Sequence, residues 1–139
     1  MSTKVHTTNY QNTLITPADD TKAVNAVMPP VKEEKKTIAN LQFEMIYNEP
    51  YKYTSDEVLF GVYMKRKGTE HDPVAEERKA FFSKGQPCLR TSALAKQYGW
   101  GIHHDMEGRV ALVAMESDDF QELMANPGVK KVKAMKTSR

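Results

Sequence analysis

A chain of 139 residues with a net charge of +2 has the length of one domain and too little charge to bind polyanions in general. Its apolar content of 40% and charged content of 27% are typical of a soluble globular protein. The single cysteine, Cys88, excludes an intramolecular disulfide, and no apolar run approaches the roughly 18 residues of a membrane span. Because the first residues also lack a signal-peptide core, we expect a soluble, cytoplasmic protein.

The first part of the chain predicts a flexible terminus, a strand and a long loop. Residues 1–8 are polar and rich in threonine, which is typical of a frayed terminus. Leu14 and Ile15 lie between threonines and predict a short strand over about residues 12–16. From 17 to 36 the apolar residues follow no period and two consecutive prolines require extended backbone, so we expect a long surface loop.

Capping residues predict two helices after this loop. Thr37 can cap the amides of a first helix, whose inward side chains fall at helical spacing: Ile38, Leu41 and Met45. Thr54 and Glu57 have the spacing of a capping box, which begins a second helix. The expected buried face of that helix comprises Leu59, Val62 and Tyr63.

Two further helices are expected before the chain changes to strand. Asp72, followed by a proline, is the expected N-cap of a third helix that continues to Phe82. A short fourth helix is expected to begin at Thr91 or Ser92 and to end at Gly99. The four helices therefore occupy one stretch of the chain, with strands before and after it.

The C-terminal part predicts a β-hairpin, a helix and a last strand. Residues 100–104 and 109–115 flank a turn, and the second of these segments is apolar on both faces, which predicts a central strand. Ser117 is the expected cap of a helix with three inward residues: Phe120, Leu123 and Met124. Residues 129–135 alternate apolar residues with lysines, as edge strands do. The predicted fold is therefore α+β, a single domain over residues 1–139 with a small, mainly antiparallel sheet.

Residues 84–104 concentrate the side chains that binding sites use. This stretch holds the only tryptophan, the only cysteine and two of the four histidines. Arg90 precedes the fourth helix, and free amides at a helix N-terminus bind anions. We therefore predict a small binding or accessory domain with a cleft between the loop 84–92 and the strand 100–104, which holds a small anionic ligand. The candidate ligand-binding residues are Lys84, Arg90, Ser92, Tyr98, Trp100 and His103.

Cys88 supports an alternative hypothesis, a cysteine-dependent enzyme. A cysteine nucleophile needs a base and a nearby cation, so this hypothesis makes Cys88 the nucleophile, His103 the base and Arg90 the group that holds an anionic substrate. Free cysteine is also among the most buried residue types, which favours a structural role. No Cys-x-x-Cys or comparable signature accompanies it, and the enzyme hypothesis stays the alternative.

Consecutive histidines raise the question of a metal site. Because His103 and His104 follow each other on a predicted strand, they point to opposite faces and cannot readily share one ion. Either of them with Asp105, His6 or His71 is a candidate ligand set. The spacing matches no standard zinc pattern, so we predict neither a metal nor a cofactor.

Basic and aromatic residues leave nucleic-acid binding open as a further alternative. Tyr98 and Trp100 lie between Lys96 and Arg109, and aromatic rings framed by cations suit stacking on bases. Residues 130–139 add five positive charges, although lysines on an edge strand usually serve to prevent aggregation. The same strand could pair with a second chain, which makes a homodimer a further alternative. No membrane partner is expected.

Four segments carry a distinctive set of motifs. They are Pro-Pro-Val-Lys-Glu-Glu-Lys-Lys-Thr-Ile at 29–38, Pro-Tyr-Lys-Tyr-Thr-Ser-Asp at 50–56, Phe-Phe-Ser-Lys-Gly-Gln-Pro-Cys-Leu-Arg at 81–90 and Tyr-Gly-Trp-Gly-Ile-His at 98–103. Together they resemble a small, largely bacterial family of uncharacterised proteins classed as a domain of unknown function. The resemblance extends from about His6 to Met135. It implies a single domain, and it implies no activity, cofactor or catalytic residue.

Overall fold

The chain forms a four-stranded mixed sheet with helices on both of its faces. The computed structural model describes residues 7–31, 35–67 and 74–136. The strands are β1 (Thr13–Thr16), β2 (Trp100–His104), β3 (Val110–Ala114) and β4 (Lys130–Lys133). They lie in the order β3-β2-β1-β4; β2 is antiparallel to β1 and β3, and β4 is parallel to β1. This arrangement confirms the α+β fold with an N-terminal strand, a hairpin and a C-terminal edge strand.

Five helices lie within the described residues. They are α1 (Ile38–Asn48), α2 (Ser55–Lys67), α3 (Val74–Phe82), α4 (Ala93–Lys96) and α5 (Asp118–Ala125). Four of them pack on the sheet, and α3 packs against α2. A single 3-10 turn at Leu89–Thr91 leads into α4. The expected N-cap of α3, Asp72, lies outside the described residues, as do residues 1–6 and 32–34.

Side-chain caps stand where the predicted helices begin. Thr37, Ser92 and Ser117 each accept a hydrogen bond from a backbone amide in the first turn of α1, α4 and α5, respectively. Thr54 and Glu57 form the expected capping box at the start of α2, with the Thr54 amide donating to Glu57 Oε1 at 2.9 Å. These starts confirm the predictions, because a cap depends only on residues within one turn of each other.

β3 lies at the edge of the sheet, and the prediction that it is central is wrong. Its apolar residues do point to both faces, but helices cover them on each side. Val110 packs into the cluster beneath α1 and α2, whereas Val113 packs with Phe120 of α5. A strand between two helical layers is apolar on both faces wherever it lies in the sheet, so this pattern does not distinguish the centre from the edge.

The two faces of the sheet carry unequal helical layers. α1, α2 and α4 cover one face, the three-helix face, where Ile15 and Ile102 join the largest hydrophobic cluster. α5 covers the other, the α5 face, where Phe120 packs with Leu14. Gly101 allows α5 to approach closely, because a Cβ at this position would lie 2.9 Å from Cε2 of Phe120. Successive residues of β2 therefore alternate between a thick helical layer and a thin one.

Several residues predicted to point inward are less buried than expected. Ile38 of α1 is 46% exposed, and Met124 of α5 is 42% exposed. In α2, Val62 is buried as predicted, whereas Leu59 and Tyr63 are only half-buried. Leu59, Val62 and Tyr63 line an open groove between helices, so this side of α2 is incompletely covered.

The segment between β1 and α1 contains neither helix nor strand over residues 17–31. Hydrogen bonds tie it to the start of β2. The Val27 amide donates to the carbonyl of Tyr98 at 2.9 Å, and the Val27 carbonyl accepts from Nε1 of Trp100 at 2.8 Å. The loop therefore satisfies the indole of the buried tryptophan. None of the helices in the described ranges is both long and apolar enough to cross a membrane.

Candidate functional site

Cys88 lies on the three-helix face beside Tyr10. Its Sγ is 3.4 Å from the Tyr10 hydroxyl oxygen, and the Tyr10 ring meets the His104 ring edge-on at 5.3 Å between centroids. Burial and the hydrogen bond to the thiol raise the pKa of Tyr10. The group that contacts the thiol is thus a phenol that stays protonated at neutral pH, and a protonated phenol is not a general base.

His103 lies on the α5 face. Its Nδ1 is 2.9 Å from the hydroxyl oxygen of Tyr51, and burial lowers its pKa. Successive side chains of β2 point to opposite faces of the sheet. His104 points toward Tyr10, so His103 points to the other side. The structure therefore does not bring together Cys88 and His103, the nucleophile and the base of the enzyme hypothesis.

The other predicted ligand-binding residues are distributed over separate parts of the fold. Arg90 Nε donates to the carbonyl of Lys133 at 2.7 Å at the edge of β4, and its guanidinium also interacts with the Tyr10 hydroxyl beside Cys88. Trp100 is buried, and Tyr98 is half-buried against the same cluster. Lys84 is exposed. Ser92, the N-cap of α4, lines an open groove between helices.

This helical groove, of about 470 Å³, opens between α1, α2, the end of α3 and the bend that follows it. Its size is that of cavities that bind small molecules. The predicted loop does contribute one wall, but the opposite wall is formed by helices and not by the hairpin. The larger apolar side chains of the lining are Ile38, Leu59, Val62, Tyr63, Phe81 and Pro87.

Gln42 places a polar donor in this apolar lining. It is only 4% exposed, and its Oε1 accepts a hydrogen bond from Ser92 Oγ at 2.6 Å. Ser92 Oγ in turn accepts from the Leu94 amide at 3.2 Å, so its own proton is directed to Gln42. The Gln42 amide nitrogen makes no hydrogen bond to any described residue, although Gln42 lines the groove. The N–H₂ group is therefore available to a molecule bound there.

Arg66 adds a positive charge to the rim. It lines the groove and forms no ion pair with any residue that the structure describes. Two nearby cations have partners: Lys67 pairs with Glu77 at 3.0 Å, and Arg78 stacks over Phe82 at 5.1 Å from the ring centroid. Arg66 is thus the guanidinium of this region that can bind an anion.

His104 is fully buried on the three-helix face, with one ring nitrogen unsatisfied. Its Nδ1 is 3.3 Å from the carbonyl of Ile102, and its Nε2 has no hydrogen-bond partner among the described residues. Burial lowers the pKa of His104 to about 4, so the imidazole is neutral at neutral pH. An unsatisfied buried nitrogen lowers the stability of a protein by roughly 1 to 3 kcal/mol. In this protein it lies on the better-packed face of the sheet.

The candidate metal-binding histidines lie apart. His103 and His104 point to opposite faces of the sheet, as predicted for consecutive strand residues. Two of their proposed partners, His6 and His71, lie outside the described residues. In the described part of the chain, no group of three or more His, Cys, Asp and Glu side chains is arranged to hold a metal ion.

The basic C-terminal strand uses part of its charge internally. Lys133 forms an ion pair with Asp19 at 3.1 Å, and Lys131 Nζ donates to the carbonyl of Asn126. The last positive charge of the tail, Arg139, lies outside the described residues. Nucleic-acid binding through this strand stays a prediction.

Gln42 and Arg66 are the groove residues that the sequence analysis missed. Each stands one helical turn after an apolar residue of a predicted stripe: Gln42 follows Ile38 by four positions, and Arg66 follows Val62 by four. A polar residue in line with an apolar stripe is the signal that could have identified them. Their meeting across one groove depends on the packing of α1 against α2, which neither helix encodes alone.

Comparison with known proteins identifies the family. The model of a family described as a family of unknown function, DUF6157, matches residues 5–139. Searches of the curated proteins and of the solved structures found no match. The family match covers all four strands and every helix that lines the groove. The chain therefore belongs to the DUF6157 family, whose function is unknown.

Proposed function

We propose that this protein is a small binding domain whose helical groove takes an apolar molecule that carries a carboxylate or a similar anionic group. The observation that carries this proposal is an apolar groove that presents the amide nitrogen of Gln42 and the guanidinium of Arg66, neither of which has a partner among the described residues. Binding sites for small molecules commonly combine apolar walls with a few polar groups that orient the ligand.

The apolar walls would supply most of the affinity. Each Å² of apolar surface removed from water contributes roughly 25 cal/mol, so a hydrocarbon body that covers the side chains of Leu59, Val62 and Phe81 is favoured over bulk solvent. A ligand without such a body would gain little here. This argument favours an amphipathic ligand over a bare anion such as phosphate.

The two polar groups would select the charge of the ligand. A guanidinium forms strong, often bidentate hydrogen bonds with a carboxylate, and the Gln42 amide can donate only to an acceptor. A cationic ligand would meet Arg66 without a compensating carboxylate in the described lining of the groove. The anionic ligand of the sequence hypothesis is therefore retained, but its site moves from the hairpin to the helices.

The proposal also leaves the cysteine outside the site. The described lining includes Pro87 and Thr91 but not Cys88, whose thiol contacts Tyr10. We keep a cytoplasmic location as part of the proposal, because one cysteine offers no structural disulfide to an oxidising compartment.

Octanoate and octanol, titrated into the ¹⁵N-labelled full chain, test this proposal. We expect octanoate to shift the amide resonances of α1 and α2, and octanol to bind more weakly. Arg66→Gln should weaken octanoate binding by about tenfold or more while leaving octanol unchanged, because a charge-assisted hydrogen bond contributes roughly 1.5 to 3 kcal/mol.

Lys65→Gln is the matched control for this substitution. It removes the same charge from the preceding residue of α2, but Lys65 does not belong to the described lining of the groove. Octanoate affinity should stay within about twofold of the unsubstituted chain, since a surface charge outside the groove contributes little. Equal losses in both variants, or shifts confined to other parts of the molecule, would contradict the proposal.

A further inference from the structure

A second open groove, of about 620 Å³, runs along the outer edge of β3 on the α5 face. Pro50 and Tyr51 form one end of this edge groove, and α5 contributes Asp119 and Glu122 to its wall. Its floor is the backbone and side chains of residues 111–114. The edge groove is thus built on a sheet edge, whereas the helical groove is built between helices.

The backbone of β3 is satisfied at its start and open further along. The Val110 amide donates to the carbonyl of Tyr53 at 2.8 Å, and the Val110 carbonyl accepts from the Tyr51 amide at 2.9 Å. Because every second residue of a strand presents its backbone groups to the same edge, those of Leu112 and Ala114 also point outward. The segment 51–54 turns away before it reaches them, so the linker covers only the first part of the edge.

Leu112 presents both of its backbone groups at this open edge. Neither its amide nor its carbonyl hydrogen-bonds to any described residue, and the same holds for the Ala114 amide. The Ala114 carbonyl, in contrast, accepts from the amide and the hydroxyl of Ser117 at 3.0 and 2.7 Å. Two donors and one acceptor therefore stand in the spacing of a strand ladder, with a groove in front of them.

The opposite edge of the sheet is closed near its C-terminal end and carries lysines along its length. At β4, Arg90 Nε donates to the carbonyl of Lys133, and the Arg90 carbonyl accepts from the Met135 amide at 2.8 Å. Lysine side chains also flank that strand, and lysines on an edge discourage pairing with another strand. The edge of this sheet that has open backbone groups and no lysine is therefore β3.

Negative charge surrounds the open edge. Asp119 and Glu122 form no ion pair with any residue in the described ranges. Burial is the main cause of the raised pKa of Tyr51 at the end of the groove, and the negative charges of Asp105 and Asp119 raise it further. A strand that carries acidic side chains would be repelled here, whereas one that carries lysine or arginine would find carboxylates without partners.

We propose that the edge of β3 is a docking site for an extended, basic segment of a partner protein, which adds to the sheet as a fifth strand. The open groups of Leu112 and Ala114 would pair with its backbone, and Asp119 and Glu122 would select lysine or arginine at alternate positions. A second copy docked through its own β3 edge would bring these acidic residues together across the interface. Charge complementarity therefore favours a different partner.

The peptide acetyl-Val-Lys-Val-Lys-Val-Lys-amide is a direct probe of this site on the full chain. We expect it to shift the Leu112 and Ala114 resonances and to slow hydrogen exchange of the Leu112 amide by about tenfold or more, because a paired amide exchanges only when the pair opens. A peptide with glutamate in place of lysine should not bind. A version N-methylated at alternate residues should lose binding, because it cannot donate to Leu112.

Asp119→Asn and Asp118→Asn form a matched pair on α5. Both remove one carboxylate from the first turn of the helix, but only Asp119 lines the edge groove. Asp119→Asn should weaken binding of the lysine peptide, whereas Asp118→Asn should leave its affinity within about twofold; adding Glu122→Gln to Asp119→Asn should bring the loss to about tenfold.

Three results would overturn the proposal. One is equal binding of the lysine and glutamate peptides, which would remove the charge selection. Another is undiminished binding of the N-methylated peptide, which would exclude strand addition. The third is protection of the Leu112 amide that rises with protein concentration in the absence of peptide, which would assign the edge to a second copy of this chain.

Discussion

The two faces of the sheet treat two neighbouring histidines in opposite ways. His104 lies beneath three helices, fully buried, and its Nε2 has no partner in the part of the chain that the structure describes. His103 lies beside a single helix and shares a hydrogen bond with Tyr51. On the thick face the apolar packing of the largest cluster offsets the cost of this unsatisfied group. The thin face satisfies its histidine but leaves a groove and an open strand edge, where we propose that a partner docks.

The largest expected difference between the two faces is a loss of folding stability at low pH. His104 has a pKa of about 4 in the folded chain and about 6.5 when unfolded, so below pH 6.5 protons bind preferentially to the unfolded state. Stability should be greatest above pH 6.5 and should fall by roughly 3 kcal/mol as the pH decreases to 4. Urea denaturation at a series of pH values measures this slope.

Two substitutions assign that slope to its residue. His104→Met replaces the imidazole by an apolar side chain and should remove most of the pH dependence between 6.5 and 4. His103→Gln should leave most of it, although the lowered pKa of His103 contributes with the same sign. If His104→Met retained the full slope, the buried imidazole would not be its source.

A smaller effect is expected where α5 approaches the sheet. Gly101→Ala places a methyl group 2.9 Å from the Phe120 ring, and overpacking of this kind costs roughly 1 to 3 kcal/mol. Replacing glycine in a strand returns roughly 0.5 to 1 kcal/mol, so the net loss in free energy of unfolding should be roughly 0 to 2.5 kcal/mol, centred near 1 kcal/mol. Thermal or urea unfolding at neutral pH measures this loss.

The Phe120→Leu background is the control for this prediction. The smaller side chain makes room for the new methyl group, so Gly101→Ala should cost less there than in the original chain. A double-mutant cycle gives the difference. An identical cost in both backgrounds would show that the contact with α5 is not the cause.

The smallest effect is expected at the exposed hydrogen bond of the α5 face. Tyr51→Phe removes the hydroxyl that contacts His103 and should lower stability by roughly 0.5 to 1 kcal/mol. Tyr47→Phe is the comparison, because Tyr47 is 53% exposed and its ring stacks on Phe43. Equal unfolding free energies for the two variants would mean that the Tyr51–His103 bond adds nothing measurable.

Helix starts and strand spans of this protein were predictable because they depend on neighbours in the chain. Thr37, Thr54, Ser92 and Ser117 all cap where expected, since each needs only an amide within the following turn. The edge position of β3 was not predictable from its composition. An edge strand with helices on both faces of the sheet is apolar on both sides, and so is a central strand. The apolar pattern therefore does not tell the two positions apart.

The sites depended on contacts that no local pattern encodes. Cys88 and His103 lie close in the sequence, yet strand alternation and the packing of the bend separate them across the sheet. Gln42 and Arg66 stand in different helices and share one groove. Ser92 was a predicted site residue and lines that groove, but its hydroxyl acts by orienting the Gln42 amide.

By itself, the amino-acid sequence determined the elements of this protein, their caps, the α+β class and the family resemblance, because hydrophobic spacing and capping act over a few residues. The tertiary structure alone decided the strand order, the thickness of each helical layer and the position of both grooves. These features depend on which surfaces pack together over long separations in the chain. Packing of that kind is a property of the whole domain, and so is any site built on it.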